Sequence, residues 1–223
     1  RHGALLQLNR FCADHELQAL PAVMVADDVE GGVEALLQAV SIGAIRPNLA
    51  IFGWSHEEEH LASYVRQLRM AAALAMSVVL VHPVAMPAPE TVRRIDVWWR
   101  GRKNGELMMM LAWLITENWE WEGARVRLLR AVDSEEGRQP IEAALASLVE
   151  MARMEAEIVV IPATEPFPAV LRQHSADASC IVLGLDLPAP EEERQWFIRN
   201  QLFLMDLPTT ILVNSREDLR IFV

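Results

Sequence analysis

His56-Glu57-Glu58-Glu59-His60 matches the H-E-x-x-H spacing, in which two imidazoles one helical turn apart bind zinc and the glutamate activates a water. The motif follows an apolar run, where acidic residues at a helix start oppose the macrodipole favourably. Ser63 and Arg66 occupy the positions where the extended motif needs glycine and histidine. A solvated acidic helix start is the expected reading, with no metal and no other cofactor. Arg100-Gly101-Arg102-Lys103-Asn104-Gly105 also sits between an expected strand and an expected helix, the place where open α/β sheets bind anions. Its glycines are four apart and no Ser or Thr follows the lysine, so neither the Walker nor the dinucleotide fingerprint is met. Arg100, Arg102 and Lys103 therefore stand as weak ligand-binding candidates, against a turn with solvated basic residues.

Asp96 joins those candidates, because a carboxylate within the apolar run Ile95-Asp96-Val97 is either a ligand contact or a satisfied structural hydrogen-bonding group. No G-x-S-x-G elbow occurs, and Cys180 lies in Cys180-Ile181-Val182-Leu183, the setting of a small buried hydrophobe. No catalytic constellation is complete, and no catalytic residue is assigned. Trp98, Trp99, Trp113, Trp119 and Trp121 crowd one region together with Met108-Met109-Met110. Core packing accounts for most of that, and a docking surface for protein is the functional alternative.

The elements that would position these residues follow from the pattern. Apolar residues make up 52% of the 223 and charged ones 23%, which excludes a disordered chain. The formal net charge of −11 opposes binding to phosphate backbones, so no nucleic-acid partner is expected. Two cysteines, Cys12 and Cys180, are too few for a disulfide framework. The longest apolar runs fall short of the roughly 18 residues needed to cross a bilayer. Arg1-His2-Gly3 has no initiator methionine and no signal layout, so further sequence ahead of it is expected.

Short apolar runs alternate with amphipathic stretches, the signature of an α/β chain with a mainly parallel, doubly wound sheet. Strands are expected at Ala22 to Ala26, Leu49 to Trp54, Ser77 to His82, Ile95 to Trp99, Arg125 to Val132, Ile158 to Ile161, Cys180 to Leu185 and Thr210 to Asn214. Most are continuously apolar, as strands covered on both faces are. The prolines of His82-Pro83-Val84-Ala85-Met86-Pro87-Ala88-Pro89 break this rhythm. They predict a first, incomplete α/β subdomain over 1–86 and a second over 87–223 with five parallel strands.

Three ordered blocks resemble the cytosolic C-terminal domain of cation-chloride cotransporters. The first is Gln38 to Trp54, with Gly43, Pro47, Asn48, Gly53 and Trp54. The second is Ile95-Asp96-Val97-Trp98-Trp99 with the helix from Glu106 to Leu111. The third is Ala176 to Pro188, with Gly184 and Pro188. Gly43 can end a helix in the left-handed region and Pro47 prevents its continuation, so the first block stops a helix and feeds a strand. Successive strand residues face opposite sides, so Trp98 and Trp99 put one indole under each helical layer.

The resemblance implies a universal-stress-protein-like fold, homodimerisation, and attachment to the transmembrane domain of a symporter in the amino acid permease superfamily, at the cytoplasmic face of the membrane. It thus implies a regulatory and dimerisation domain without catalysis of its own. Ser41-Ile42-Gly43 departs from the family's Gly-Leu-Gly, and Gly184 is the last glycine, so the G-x2-G-x9-G-[ST] phosphate loop of ATP-binding stress proteins is absent. The alternative reading is a stand-alone stress-protein-like binder of a nucleotide or other small ligand.

Overall fold

Runs of β-branched and apolar residues with no polar alternation can satisfy their backbone only in the middle of a sheet covered on both faces, and the chain folds that way. The structure is a computed structural model that describes residues 2–42, 46–55, 60–85 and 92–216. Two compact units divide after Pro47. The first holds helices α1 (His2–Asp14) and α2 (Val29–Ile42). Neither helix has a fully buried residue.

The second unit runs in the order β1 (Leu49–Gly53), α3 (Leu61–Ala73), β2 (Ser77–His82), β3 (Arg94–Trp98), α4 (Arg102–Thr116), β4 (Arg125–Val132), α5 (Arg138–Ala152), β5 (Glu157–Pro162), α6 (Phe167–Ser175), β6 (Cys180–Gly184), α7 (Glu193–Leu204) and β7 (Thr210–Asn214). The strands form a seven-stranded sheet in the order β1-β2-β7-β6-β3-β4-β5. From β7 to β5 every pairing is parallel, while β2 meets β7 antiparallel. The chain steps outward from β3 to β4 and β5, then returns to the other side of β3 as β6. That reversal opens a crevice at the carboxyl ends of β3 and β6.

Alternation along β3 sorts its side chains. Ile95, Val97 and Trp99 join Leu107, Met108, Met109 and Ala112 of α4 and Leu145 of α5 in one core cluster. Asp96 and Trp98 point to the opposite layer, where Trp98 meets Phe167 of α6 edge-on at 5.3 Å. One indole thus packs under each helical layer. Trp99 packs against the start of α4, where a Cβ on Gly105 would stand 2.2 Å from the ring. Only glycine fits there.

One expectation differs from the fold. Ala22 to Ala26 is not a strand: the segment has no regular secondary structure and is largely exposed. The boundary expected at 86/87 falls on residues outside the described set, and the strands on either side of it share one sheet through the pairing of β2 with β7.

Candidate functional site

Parallel strands all end at one edge, and the loops leaving that edge carry whatever the fold can offer a ligand. At the ends of β3, β4 and β5 lies a cavity of about 530 Å³, bordered by Trp99, Arg100, Arg130, Ser134, Glu165 and Phe167. A second, of about 240 Å³, occupies the crevice between β3 and β6 and is bordered by Trp98, Arg100, Phe167, Gly184, Arg199 and Phe203. Arg100 lines both, with its guanidinium carbon 5.5 Å from the centre of the Phe167 ring. Arg130 donates from Nη1 to the carbonyl of Trp99 at 3.1 Å. Its Nε is buried and makes no hydrogen bond among the described residues. Guanidinium groups beside indole and phenyl faces suit a small planar or anionic group.

The other basic candidates sit differently. Arg102 and Lys103 open α4, whose first turn holds no acidic residue to complement its dipole. Lys103 is paired with Asp186 at 2.7 Å. Next to it, Asn104 accepts from the Ser215 amide at 2.8 Å. A Cβ on Gly184 would come within 2.9 Å of the Asn104 amide nitrogen, so Gly184 leaves room for this clasp between α4 and the sheet edge. Pro188 is buried. Arg130 and Asn104 are contributions that motif reading missed. The only signal for Arg130 was a basic residue near the end of a strand that also carries Arg125 and Arg127.

Asp96 is not part of that edge. It lies mid-strand, 0% exposed, and of its two readings the geometry fits the structural one. Arg127 of β4 donates to it from Nε at 2.8 Å and from Nη2 at 2.6 Å. Ser175 donates at 2.6 Å while accepting from the Trp98 indole at 3.0 Å. Arg94 Nε adds a contact at 3.2 Å, and its other nitrogens grip Asp177. Arg127 also reaches the carbonyl of His174, so the C-terminus of α6 is tied to two strands at once. The Asp177 carboxyl is held below its ordinary range, first by the hydrogen bond from Arg94. The Cys180 thiol is pushed up to about 12, first by burial and then by the charge of Asp96.

In the first block, Asn48 accepts from the Ser77 amide at 2.8 Å, joining the loop after Pro47 to β2. The Gly53 carbonyl accepts from the Tyr64 hydroxyl at 2.9 Å. Trp54 stacks on Phe197 at 5.6 Å and donates to Gln201 at 2.6 Å, which fixes β1 to α7. Gly43 lies outside the described residues, as do His56 to Glu59 of the histidine motif. His60 is exposed at the start of α3. Among the described residues no three His, Cys, Asp or Glu are grouped to hold a metal. No described helix is long and apolar enough to cross a membrane.

No family model matches the chain. Potassium/chloride cotransporter 3 of Caenorhabditis elegans is 24% identical over 140 residues, 60% of this chain. The match spans only 13% of that protein's length. The crystal structure of the cytoplasmic domain of a prokaryotic cation chloride cotransporter superposes with a TM-score of 0.71 at 17% identity, covering 96% of this chain and 81% of that one. A universal stress protein from Archaeoglobus fulgidus DSM 4304 gives a TM-score of 0.55 at 11% identity, covering 97% of this chain and 77% of that one. The chain is therefore similar in fold to the cytoplasmic domain of a prokaryotic cation chloride cotransporter and to a universal stress protein.

Proposed function

We propose that the chain is a cytosolic regulatory and dimerisation domain of a cation-chloride cotransporter-like membrane protein, acting through contact rather than turnover. The observation that carries this is the likeness in fold to such a domain over 96% of the chain, joined to the sequence relation with a potassium/chloride cotransporter. At the carboxyl edge Lys103 is held by Asp186, and Arg130 donates from one nitrogen to the Trp99 carbonyl. In this role the domain sits at the cytoplasmic face of the membrane, behind the transmembrane part of the same polypeptide. Two measurements test it. The intact reading frame should encode about a dozen spans of roughly 20 apolar residues, and a frame with none overturns the attachment. Sedimentation at micromolar concentration should show a dimer, and a monomer up to millimolar overturns the assembly role.

A second reading has its own observation. The cavity beside Arg100 and Arg130 has the size and lining of a small-ligand site, as a stand-alone stress-protein-like binder requires. Titration with ATP and with ADP decides it, because heat that disappears in R130A would favour ligand binding and a flat trace would end that idea.

A further inference from the structure

Tryptophan is the side chain that gains most from leaving water, yet at the amino-terminal end of β3 and β4 one stands almost fully in solvent. Trp119 is 80% exposed, and Trp113 and Leu114 on the last turns of α4 are 44% and 48% exposed. Val92, just ahead of β3, is 62% exposed. The turn that carries Trp119 is built firmly. Asn118 accepts from the Glu120 amide at 2.9 Å, the Trp121 amide donates to the Asn118 carbonyl at 2.8 Å, and Trp121 packs against the core cluster with Arg93 over its ring at 5.0 Å. Trp119 is thus held outward by its neighbours' bonds. An aromatic anchor presented on a fixed turn is the anatomy of an interface centre.

The charge around it names the partner's chemistry. Glu117, Glu120 and Glu122 are exposed and flank Trp119 and Trp121 in sequence, while Arg93 over Trp121 and the exposed Arg125 lie beside the starts of β3 and β4. Glu117 caps the C-terminus of α4, whose last turn has no basic residue, so its charge adds to the negative end of the helix dipole. Anionic lipid and acidic protein are repelled by such a rim, whereas a segment rich in Arg and Lys with apolar residues between them complements it.

We propose that Trp113, Leu114 and Trp119, with the rim of Glu117, Glu120 and Glu122, dock a basic apolar protein segment of the kind found in the cytosolic loops of membrane proteins, which carry an excess of Lys and Arg. The identification of such loops as the source rests on the function proposed above, while the surface and its preference for a basic segment do not.

The test titrates the whole chain with a synthetic peptide of alternating Arg-Leu pairs, and with a Glu-Leu peptide of equal length, following tryptophan emission. The expected result is a blue shift with the basic peptide alone, with affinity lower by about tenfold or more in W119A and in E117Q/E120Q/E122Q. Because the altered side chains are exposed, both variants should keep the wild-type melting temperature. Equal affinity in W119A, or an equal response to the Glu-Leu peptide, overturns the proposal. A blue shift with phosphatidylglycerol vesicles but not with the Arg-Leu peptide overturns it in favour of a membrane contact. Loss of dimer in W119A overturns it in favour of a second copy of the chain. A bound peptide with no apolar spans in the reading frame keeps the surface and removes only the loops as its source.

Discussion

Replacing Asp96 by alanine removes the acceptor that joins β3, β4 and α6, and its cost can be worked from the contacts. Arg127 loses hydrogen bonds of 2.8 and 2.6 Å, Ser175 one of 2.6 Å and Arg94 one of 3.2 Å. Removing one partner of a buried charged pair costs about 3–5 kcal/mol, because the cation left behind is neither solvated nor paired. Arg127 and Arg94 retain 16% and 21% exposure, which lets some water reach them and places the expected loss toward the lower end. For a domain of this size about 3 kcal/mol lowers the melting temperature by ~6–12 °C. Urea unfolding of the intact chain, followed by circular dichroism, should show a lower midpoint with an unchanged slope. In D96A/R127M the orphaned cation is replaced by an apolar side chain, and most of the loss should return. A loss below about 1 kcal/mol in D96A, within the range of an ordinary surface change, would show that the network does not hold α6 to the sheet.

Gly105→Ala sets a methyl group 2.2 Å from the Trp99 ring. The overpacking should cost about 1–3 kcal/mol despite alanine's better helix propensity, and a raised melting temperature would refute it. Titration of the native chain with Ellman's reagent near neutral pH should count one thiol, Cys12, because the Cys180 thiol is buried with its pKa pushed up to about 12. Two rapidly reacting thiols would contradict that burial. The Asp177 carboxyl is depressed in the folded chain by Arg94, so its contribution is present above the ordinary value of 3.8 and is lost as the pH falls through the lower folded value. The stability difference between the wild type and D177N should therefore shrink on acidification below that point, and a constant difference would show that Arg94 does not favour the charged form. Asp177 is 78% exposed, so the difference will be small and greatest at low ionic strength.

How much of this was legible in the sequence depended on the range of the interaction concerned. β2 and β7 were readable to the residue from their apolar runs, since a strand covered on both faces carries its own signal. Ala22 to Ala26 carries the same local signal and forms no strand, because pairing is a property of neighbours rather than of the run. The placement of Trp98 and Trp99 under opposite layers followed from period-two geometry alone. The partners of Asp96 did not. Ser175 is 79 positions away and Arg127 is 31, and only the register of β3 against β4 and the return of α6 bring them together. The basic turn after β3 was visible as a candidate, whereas its clasp through Asn104 depended on how closely α4 passes Gly184.

The two layers on β3 are secured by different physics, and this bears on how the sheet edge behaves. On one side Ile95, Val97 and Trp99 hold α4 by packing, which is non-directional and tolerates small slides of the helix. On the other, Asp96 holds the end of α6 through charged hydrogen bonds, which weaken steeply once their geometry is lost. Phe167, at the other end of α6, lies under Arg100 and lines both cavities. A group entering either cavity therefore meets a wall carried by the helix that the buried network fixes, whereas α4, held by packing and the clasps of Lys103 and Asn104, borders neither cavity.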